Sequence, residues 1–307
     1  MKFRTRSEVI ELIKASGLDP DAVFMIIDEA LDEDLGGRGV LPAGTGHRVD
    51  VTSEATIAAD ARATARLVAR SAGVLAGGPV AAAVFARVCE PAGNCEIELS
   101  RGDGDRVTRD DVVLTVTGNT RALLTGERIA LNLITLMSGV ATATRAWVDA
   151  LAGTSTRVRD TRKTVPGLRT LQKYAVRVAG GVNHRKCLAD AALIKDNHVI
   201  AAGGVVPAFQ AVRNRYPGLP IQVEVTRPEQ VAELVAVGAK EILLDNMSPD
   251  AMREVVAEFG DVVVFEASGG LTLTDAKAVA ATGVDFVAVG AITHSAPILD
   301  LALDFVE

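Results

Sequence analysis

From residue 190 onward the chain repeats one pattern. A short apolar run ends abruptly in a charged or glycine-rich cluster. AALIK ends at Lys195, IQVEV carries Glu224, EILLD ends at Asp245, VVVFE ends at Glu266 and FVAVG ends at Gly290. The steps between these positions are 29, 21, 21 and 24 residues. Each step has room for one strand, one helix and two short loops, which is the βα unit. A strand interior cannot hold an uncompensated charge, whereas the C-terminal mouth of a parallel barrel can. The pattern therefore predicts a parallel α/β barrel with its functional groups on the C-terminal rim, and hence an enzyme.

A chain of 307 residues has room for two domains, at about 100–200 residues each. It can bury a large core without cross-links. Three cysteines (Cys89, Cys95, Cys187) fit no zinc spacing, and an odd number argues against a disulfide framework. No run of 18 or more apolar residues occurs, so no membrane span is expected. The N-terminus turns amphipathic at once, without an apolar signal core, and the expected compartment is the cytoplasm. Charge is unevenly distributed. Arg157 to Lys195 holds ten Lys/Arg and two acids, a net +8, which leaves −15 on the rest of a chain whose total is −7. An acidic protein is a poor general nucleic-acid binder, and a basic block inside it focuses field on a small, highly anionic ligand. A solvated basic helix face is the other reading. Pro166 and the Gly180-Gly181 pair argue against one continuous exposed helix.

Ahead of the repeat, residues 7–16 and 22–34 read as helices, with Asp19-Pro20-Asp21 as cap and first turn. Residues 63–77 alternate and turn at Gly73, as a strand pair would. Residues 78–88 have helical spacing, and 96–118 read as strands around a tight turn at Gly102-Asp103-Gly104. Together they predict an α+β domain with a mostly antiparallel sheet. A long amphipathic helix follows over 121–151, with a break expected near Ser138-Gly139. The expected domains are 1–129 and 130–295, with 296–307 capping the barrel or returning to the first.

Several side chains invite chemistry. Arg162 and Lys163 follow the strand-like 157–159, where a guanidinium fork and an ammonium can grip two anionic groups. A salt bridge to Asp160 at a helix start is the alternative. Gly180-Gly181 precedes Val182-Asn183-His184-Arg185, so backbone approaches closely beside a His-Arg pair. Lys195, Glu224 and Asp245 end three successive strands. Two carboxylates near bound phosphates point to magnesium; otherwise either acid simply pairs with Lys195. The turns Ser268-Gly269-Gly270 and Val289-Gly290-Ala291 end the last two strands, where barrels often seat a phosphate. No P-loop, HExxH or dinucleotide fingerprint occurs.

These motifs resemble one family. EDLGGRG, DVTSEATI, GVLAGG, GERIALNLITLMSGVATAT, RDTRKTVPGLRTLQKYAVRVAGGVNHR, DAALIKDNH, EVT, ILLDNM, EASGG and VAVGAITHS occur in the order found in quinolinate phosphoribosyltransferases. The resemblance implies an incomplete, TIM-like α/β barrel with an N-terminal α+β open sandwich. It implies transfer of the phosphoribosyl group of 5-phosphoribosyl-1-diphosphate to quinolinate with decarboxylation and magnesium. The products are nicotinate mononucleotide, diphosphate and carbon dioxide, in NAD biosynthesis. It also implies a homodimer in which each sandwich covers the partner's barrel mouth. By motif, Thr161, Arg162, Lys163, His184 and Arg185 surround quinolinate, and Arg128 reaches in from the neighbouring subunit. Lys195, Glu224 and Asp245 face ribose, diphosphate and metal. Ser268, Gly269, Gly270, Val289, Gly290 and Ala291 hold the 5-phosphate. The residues alone had not marked Arg128, an ordinary charge on a helix.

Two departures from the family pattern stand out. Residues 40–49 are inserted between LGGRG and DVTS, and Thr226 stands where an acid or its amide is expected in the metal shell. Two rival functions remain at this point. One is a transferase for nicotinate or another ring acid without decarboxylation, against which the full set Arg128, Arg162, Lys163, His184 and Arg185 counts. The other is a binding-only sensor of a phosphorylated metabolite, against which Lys195, Glu224 and Asp245 count.

Overall fold

The computed structural model describes residues 1–42 and 44–306, and the chain divides into two compact units. The first comprises Met1–Thr142, Pro166–Ala179 and the stretch from Ala296 on. The division therefore falls at Thr142/Ala143, inside the long helix, and not at the expected 129/130.

The first unit contains β1 (Lys2–Phe3), α1 (Arg6–Ala15), α2 (Pro20–Asp34), α3 (Val51–Thr56), β2 (Arg62–Ala69), β3 (Gly73–Val74), α4 (Gly78–Cys89), β4 (Glu96–Leu99), β5 (Arg106–Val107) and β6 (Val112–Asn119). Its five-stranded antiparallel sheet runs β1-β4-β6-β2 and then the chain's last strand, Leu301–Phe305. Helix starts are chemically specified. Thr5 and Glu8 form a reciprocal capping box on α1, and the Asp19 carboxylate caps α2 ahead of Pro20. Helix α4 is apolar on every side and buried accordingly, from Gly78 to Ala86, against the sheet and α1 and α2. The expected β2–β3 hairpin does not form. β2 pairs with β6 and the last strand, while β3 pairs with β5.

Helix α5 (Thr120–Ala150) runs unbroken for 31 residues. The expected break at Ser138-Gly139 is instead a site of close approach. A Cβ on Gly139 would meet the Pro297 carbonyl oxygen and lie 2.9 Å from Ile298 Cα. Ser138 is fully buried and its hydroxyl bonds the Ala76 backbone. By length and composition α5 could cross a membrane, but 67% of its most apolar window is buried within the protein, as in a core helix. Helix α6 (Arg169–Val178) also belongs to the first unit, where Tyr174 donates to the half-buried Asp103 at 2.7 Å. Of the inserted residues 40–49, Ala43 lies outside the described residues; Val40, Leu41 and Val49 are exposed, and Arg48 pairs with Asp32.

The second unit comprises Ala143–Val165 and Gly180–Ser295. It holds β7 (Arg157–Arg159), β8 (Ala192–Ile194), β9 (Ile221–Val225), β10 (Glu241–Asp245), β11 (Val264–Ser268) and β12 (Phe286–Ala288). All their pairings are parallel, in the order β7-β12-β11-β10-β9-β8. Strands consecutive in sequence are neighbours from β8 to β12, and β12 returns to β7. That is a barrel of six strands, incomplete where β7 and β8 would meet. There Val182 bridges to β7, donating to Val158 and accepting from Asp160. Between the strands run α7 (Asp196–Ala202), α8 (Val205–Arg215), α9 (Pro228–Ala236), α10 (Pro249–Phe259) and α11 (Ala276–Ala280); α12 (Ala291–His294) follows β12. Helices α9 and α10 bury Val231, Leu234, Met252 and Val255. Each such side chain is worth about 1.5–3 kcal/mol of transfer free energy, which anchors the strands whose ends carry the polar groups. The fold is the expected α/β barrel with an antiparallel α+β unit.

Candidate active site

The barrel rim encloses a pocket of about 270 Å³ lined by Thr161, Arg162, Lys163, His184, Arg185, Lys195, Glu224, Glu266 and Ser268, with Leu193, Leu243 and Ala288 as its apolar floor. Eight of the expected site residues thus share one cavity. They come from the ends of β7, β8, β9 and β11 and from the stretch after Val182.

Asp160 organises the basic side of the pocket. Its carboxylate is fully buried and accepts from the His184 N–H at 2.7 Å and the Asn183 amide at 2.8 Å. It therefore ties the strand-end pair Arg162-Lys163 to the pair His184-Arg185, a role that neither reading of this stretch included. The Arg162 guanidinium is close enough to raise the cost of charge on Arg185. Burial first and the Arg162 charge second hold the Arg185 guanidinium below its ordinary pKa. Both Nε atoms are buried without a hydrogen-bond partner. Two neighbouring guanidiniums with buried, unpartnered Nε donors suit an anionic ligand. Lys163 is exposed, and its backbone carbonyl accepts from Thr293 at 2.8 Å.

On the opposite side, Lys195 Nζ lies 3.7 Å from Glu224 Oε2. Burial pushes the Glu224 carboxyl above its usual range, the nearby Lys195 opposes this, and Asp245 on the adjacent strand adds to it. Asp245 accepts from Asn246 at 2.8 Å and lies across from Ser268 in the β10–β11 register. Thr226 is turned away to the start of α9, where its N–H donates to Gln230 at 3.0 Å.

The two glycine turns lie side by side because β11 and β12 are neighbours. Gly269 has φ +107°, and a Cβ there would lie 2.8 Å from the Asn246 nitrogen, so only glycine fits. Gly270 opens onto free space. A Cβ on Gly290 would lie 3.1 Å from Lys163 Cδ, so this turn runs directly beneath a cation. Val289 is buried and its N–H is committed to the Arg159 carbonyl, which leaves Gly290 and Ala291 as the accessible part of that turn.

Arg159 and Gln222 escaped the sequence reading, and Glu266 entered it only as a strand end. Glu266 is fully buried, and it accepts from Arg159 at 2.7 Å and from Gln222 at 3.1 Å. Gln222 in turn contacts His184 Nε2 at 2.8 Å. A glutamine in an apolar run, at the second position of IQVEV, was the available signal. Arg128 belongs to the first unit and is exposed on α5.

A six-stranded parallel barrel whose rim gathers Arg162, Lys163 and Arg185 with Lys195 and Glu224, and whose last strands end in glycine turns, has the features of an enzyme acting on highly anionic substrates. Sequence comparison narrows the class. The C-terminal domain of quinolinate phosphoribosyl transferase matches residues 140–304, and its N-terminal domain matches residues 50–138. The chain is 48% identical over 288 residues to the nicotinate-nucleotide pyrophosphorylase [carboxylating] of Mycobacterium leprae, covering 92% of this chain and 97% of that one. It is 34% identical over 293 residues to the human enzyme of that name, covering 93% and 92%. The solved nicotinate-nucleotide pyrophosphorylase of Francisella tularensis superposes with a TM-score of 0.85 at 35% identity, covering 94% of this chain and 98% of that one. The chain belongs to the quinolinate phosphoribosyltransferase family.

Proposed function

We propose that this protein transfers the phosphoribosyl group of 5-phosphoribosyl-1-diphosphate to the ring nitrogen of quinolinate, with loss of carbon dioxide, to give nicotinate mononucleotide in NAD biosynthesis. The observation that carries this reading is the pair of apposed guanidiniums with unused Nε donors, Arg162 and Arg185, joined by Lys163 and set across the cavity from Lys195 and Glu224. Two ring carboxylates need that many donors, and a monocarboxylate does not.

The residues divide the work. Arg162, Lys163 and Arg185 hold the ring dicarboxylate. The turns at Ser268-Gly269-Gly270 and Gly290-Ala291 hold the 5-phosphate through backbone N–H groups. Glu224 and Asp245 face the ribose C1, where departure of diphosphate builds positive charge that carboxylates stabilise. Lys195 neutralises the leaving diphosphate. After transfer the ring nitrogen is cationic and stabilises the electron pair left on the adjacent ring carbon when carbon dioxide departs, and that carbon then takes a proton from water. The protein's largest contribution is to orient two anions that otherwise repel, worth about 7–11 kcal/mol when geometry is good.

Among the described residues no cluster of three or more His, Cys, Asp or Glu is set to hold a metal. Glu224 and Asp245 on adjacent strands fit magnesium held by one or two carboxylates and completed by substrate oxygens. When bound, magnesium supplies charge neutralisation toward the diphosphate. Arg128, exposed on α5, is read as completing the site of a partner subunit in a homodimer. Three unpaired cysteines support a reducing cytoplasm.

The test is incubation with quinolinate, phosphoribosyl diphosphate and magnesium, with nicotinate in parallel. Nucleotide and carbon dioxide in equal amounts, from quinolinate alone, are expected. Nucleotide from nicotinate would favour a non-decarboxylating transferase, and no product in either tube would refute both.

A further inference from the structure

A hydrogen-bond chain from Arg159 through Glu266 and Gln222 reaches His184 in the pocket wall, and its directions can be read from one end to the other. Arg159 Nη1 donates to Glu266 Oε2 at 2.7 Å. An arginine has no acceptor, so the carboxylate must accept. Gln222 Nε2 lies 3.1 Å from the same oxygen and also must donate, which fixes the orientation of its amide. Gln222 Oε1 therefore faces His184 Nε2 at 2.8 Å as an acceptor, and that ring nitrogen carries the proton. At the other side of the ring, the Arg185 N–H donates to His184 Nδ1 at 2.8 Å. That contact requires Nδ1 to be unprotonated. Both ends of the imidazole agree on a single state, the neutral Nε2–H tautomer.

We propose that Glu266 and Gln222 are positioning residues for the dicarboxylate pocket. They select the Nε2–H tautomer of His184 and so keep Nδ1 available to hold the backbone of Arg185. The chain is built to do this. Glu266 is fully buried, Gln222 is 5% exposed, and Arg159 is held from behind, its guanidinium 3.8 Å from the Phe286 ring centroid. Glu266 Oε1 is buried without a hydrogen-bond partner and lies 3.7 Å from His184 Nε2, so a second acceptor stands behind the same proton. His184 consequently meets the ligand as a neutral ring, and the cationic grip on the substrate comes from Arg162, Lys163 and Arg185. This deepens the proposed function and rests on it only for the choice of substrate in the kinetic arm.

The direction of the chain makes the test specific. In Glu266→Gln, an amide oxygen in the place of Oε2 still accepts from both Arg159 and Gln222, which puts the new NH2 in the place of Oε1, 3.7 Å from His184 Nε2. A donor then faces the Nε2 proton where an acceptor stood. The opposite orientation sets the NH2 against the Gln222 donor and turns that amide over, so either orientation disfavours the Nε2–H tautomer and weakens the bond from the Arg185 N–H. In the double variant Glu266→Gln/Gln222→Glu, the carboxylate is moved one step along and again accepts from both sides, so the Nε2–H tautomer returns. Nitrogen-15 NMR of the histidine rings reads the tautomer without substrate, with the His184 signals assigned by their loss in His184→Asn.

The expected result is Nε2–H in the native protein, Nδ1–H or a mixture in Glu266→Gln, and Nε2–H again in the double variant. In parallel, the KM for quinolinate rises about tenfold in Glu266→Gln and recovers in the double variant, while the KM for phosphoribosyl diphosphate stays within about twofold. An unchanged tautomer in folded Glu266→Gln would overturn the proposal, as would a loss of activity that the double variant fails to recover. If the native protein turns over no quinolinate, the functional reading fails while the NMR arm still decides the tautomer.

Discussion

Asp160→Asn tests whether the basic side of the pocket is assembled by one buried carboxylate. Asp160 has two acceptor oxygens in use, one on the His184 N–H at 2.7 Å and one on the Asn183 amide at 2.8 Å. An asparagine offers one acceptor and one NH2. Whichever way it turns, one of these donors meets another donor. Leaving a buried donor unsatisfied costs about 1–3 kcal/mol. A folded domain of ordinary stability, about 5–15 kcal/mol, survives that loss. The strain is released most cheaply by withdrawing residues 183–185, because that stretch is a connection without regular structure whereas β7 is locked in the sheet. If the cost appears in the position of Arg185, quinolinate binding weakens by the same free energy. At about 1.4 kcal/mol per factor of ten, that is a rise in KM of roughly 5- to 150-fold. The residues proposed to hold ribose and phosphate end β8 to β12, away from residues 183–185, so the KM for phosphoribosyl diphosphate should change less than about threefold. Initial rates with each substrate varied in turn, on protein shown by circular dichroism to be folded, make the comparison. Equal rises in both KM values, or an unchanged quinolinate KM, would refute the reasoning.

Other perturbations address the remaining elements. Gly139→Ala should lower the melting temperature by several degrees. Helix propensity favours alanine by about 1 kcal/mol, but overpacking against the Pro297 carbonyl and Ile298 costs about 1–3 kcal/mol; a raised melting temperature would show that the close approach is not constraining. Asp111 is pulled down to about 2, first by the Thr108 N–H and then by Arg101 and the Thr108 hydroxyl. Its folded pKa lies below the ordinary 3.8, so its contribution is present above that value and is lost as pH falls toward 2. Asp111→Asn should therefore shallow the decline of stability over that window in acid titrations followed by circular dichroism, and an unchanged slope would count against the contact. Arg128→Ala and Lys195→Ala should each be inactive alone and regain some activity when subunits are mixed. Proven exchange without recovery would exclude a shared site.

How much of this was legible in the chain follows from the range of each interaction. The barrel was readable because a buried strand and its polar end lie within five residues of each other, and the end must be polar wherever the strand goes. Lys195, Glu224 and Asp245 stood out for that reason alone. Arg128 did not, because a residue that serves a neighbouring subunit has no local mark. Gly139 was misread because a glycine in a helix looks the same whether it breaks the helix or admits another chain, and the chain it admits lies near residue 297. Glu266 was misread for the converse reason. Its sequence place at the end of an apolar run is that of a rim residue, but it is the middle residue of its five-residue strand and its partners Arg159 and Gln222 lie on strands far apart in sequence. The same logic separates what specifies the fold from what specifies the substrate. Apolar runs and caps act within one βα unit. Asp160, Gln222 and Glu266 act only after β7, β9 and β11 have come together, and their effect is to set the direction of donors around the three cations. The cations could be counted in the sequence, but their usefulness against a planar dicarboxylate depends on that direction, which no segment of the chain specifies alone.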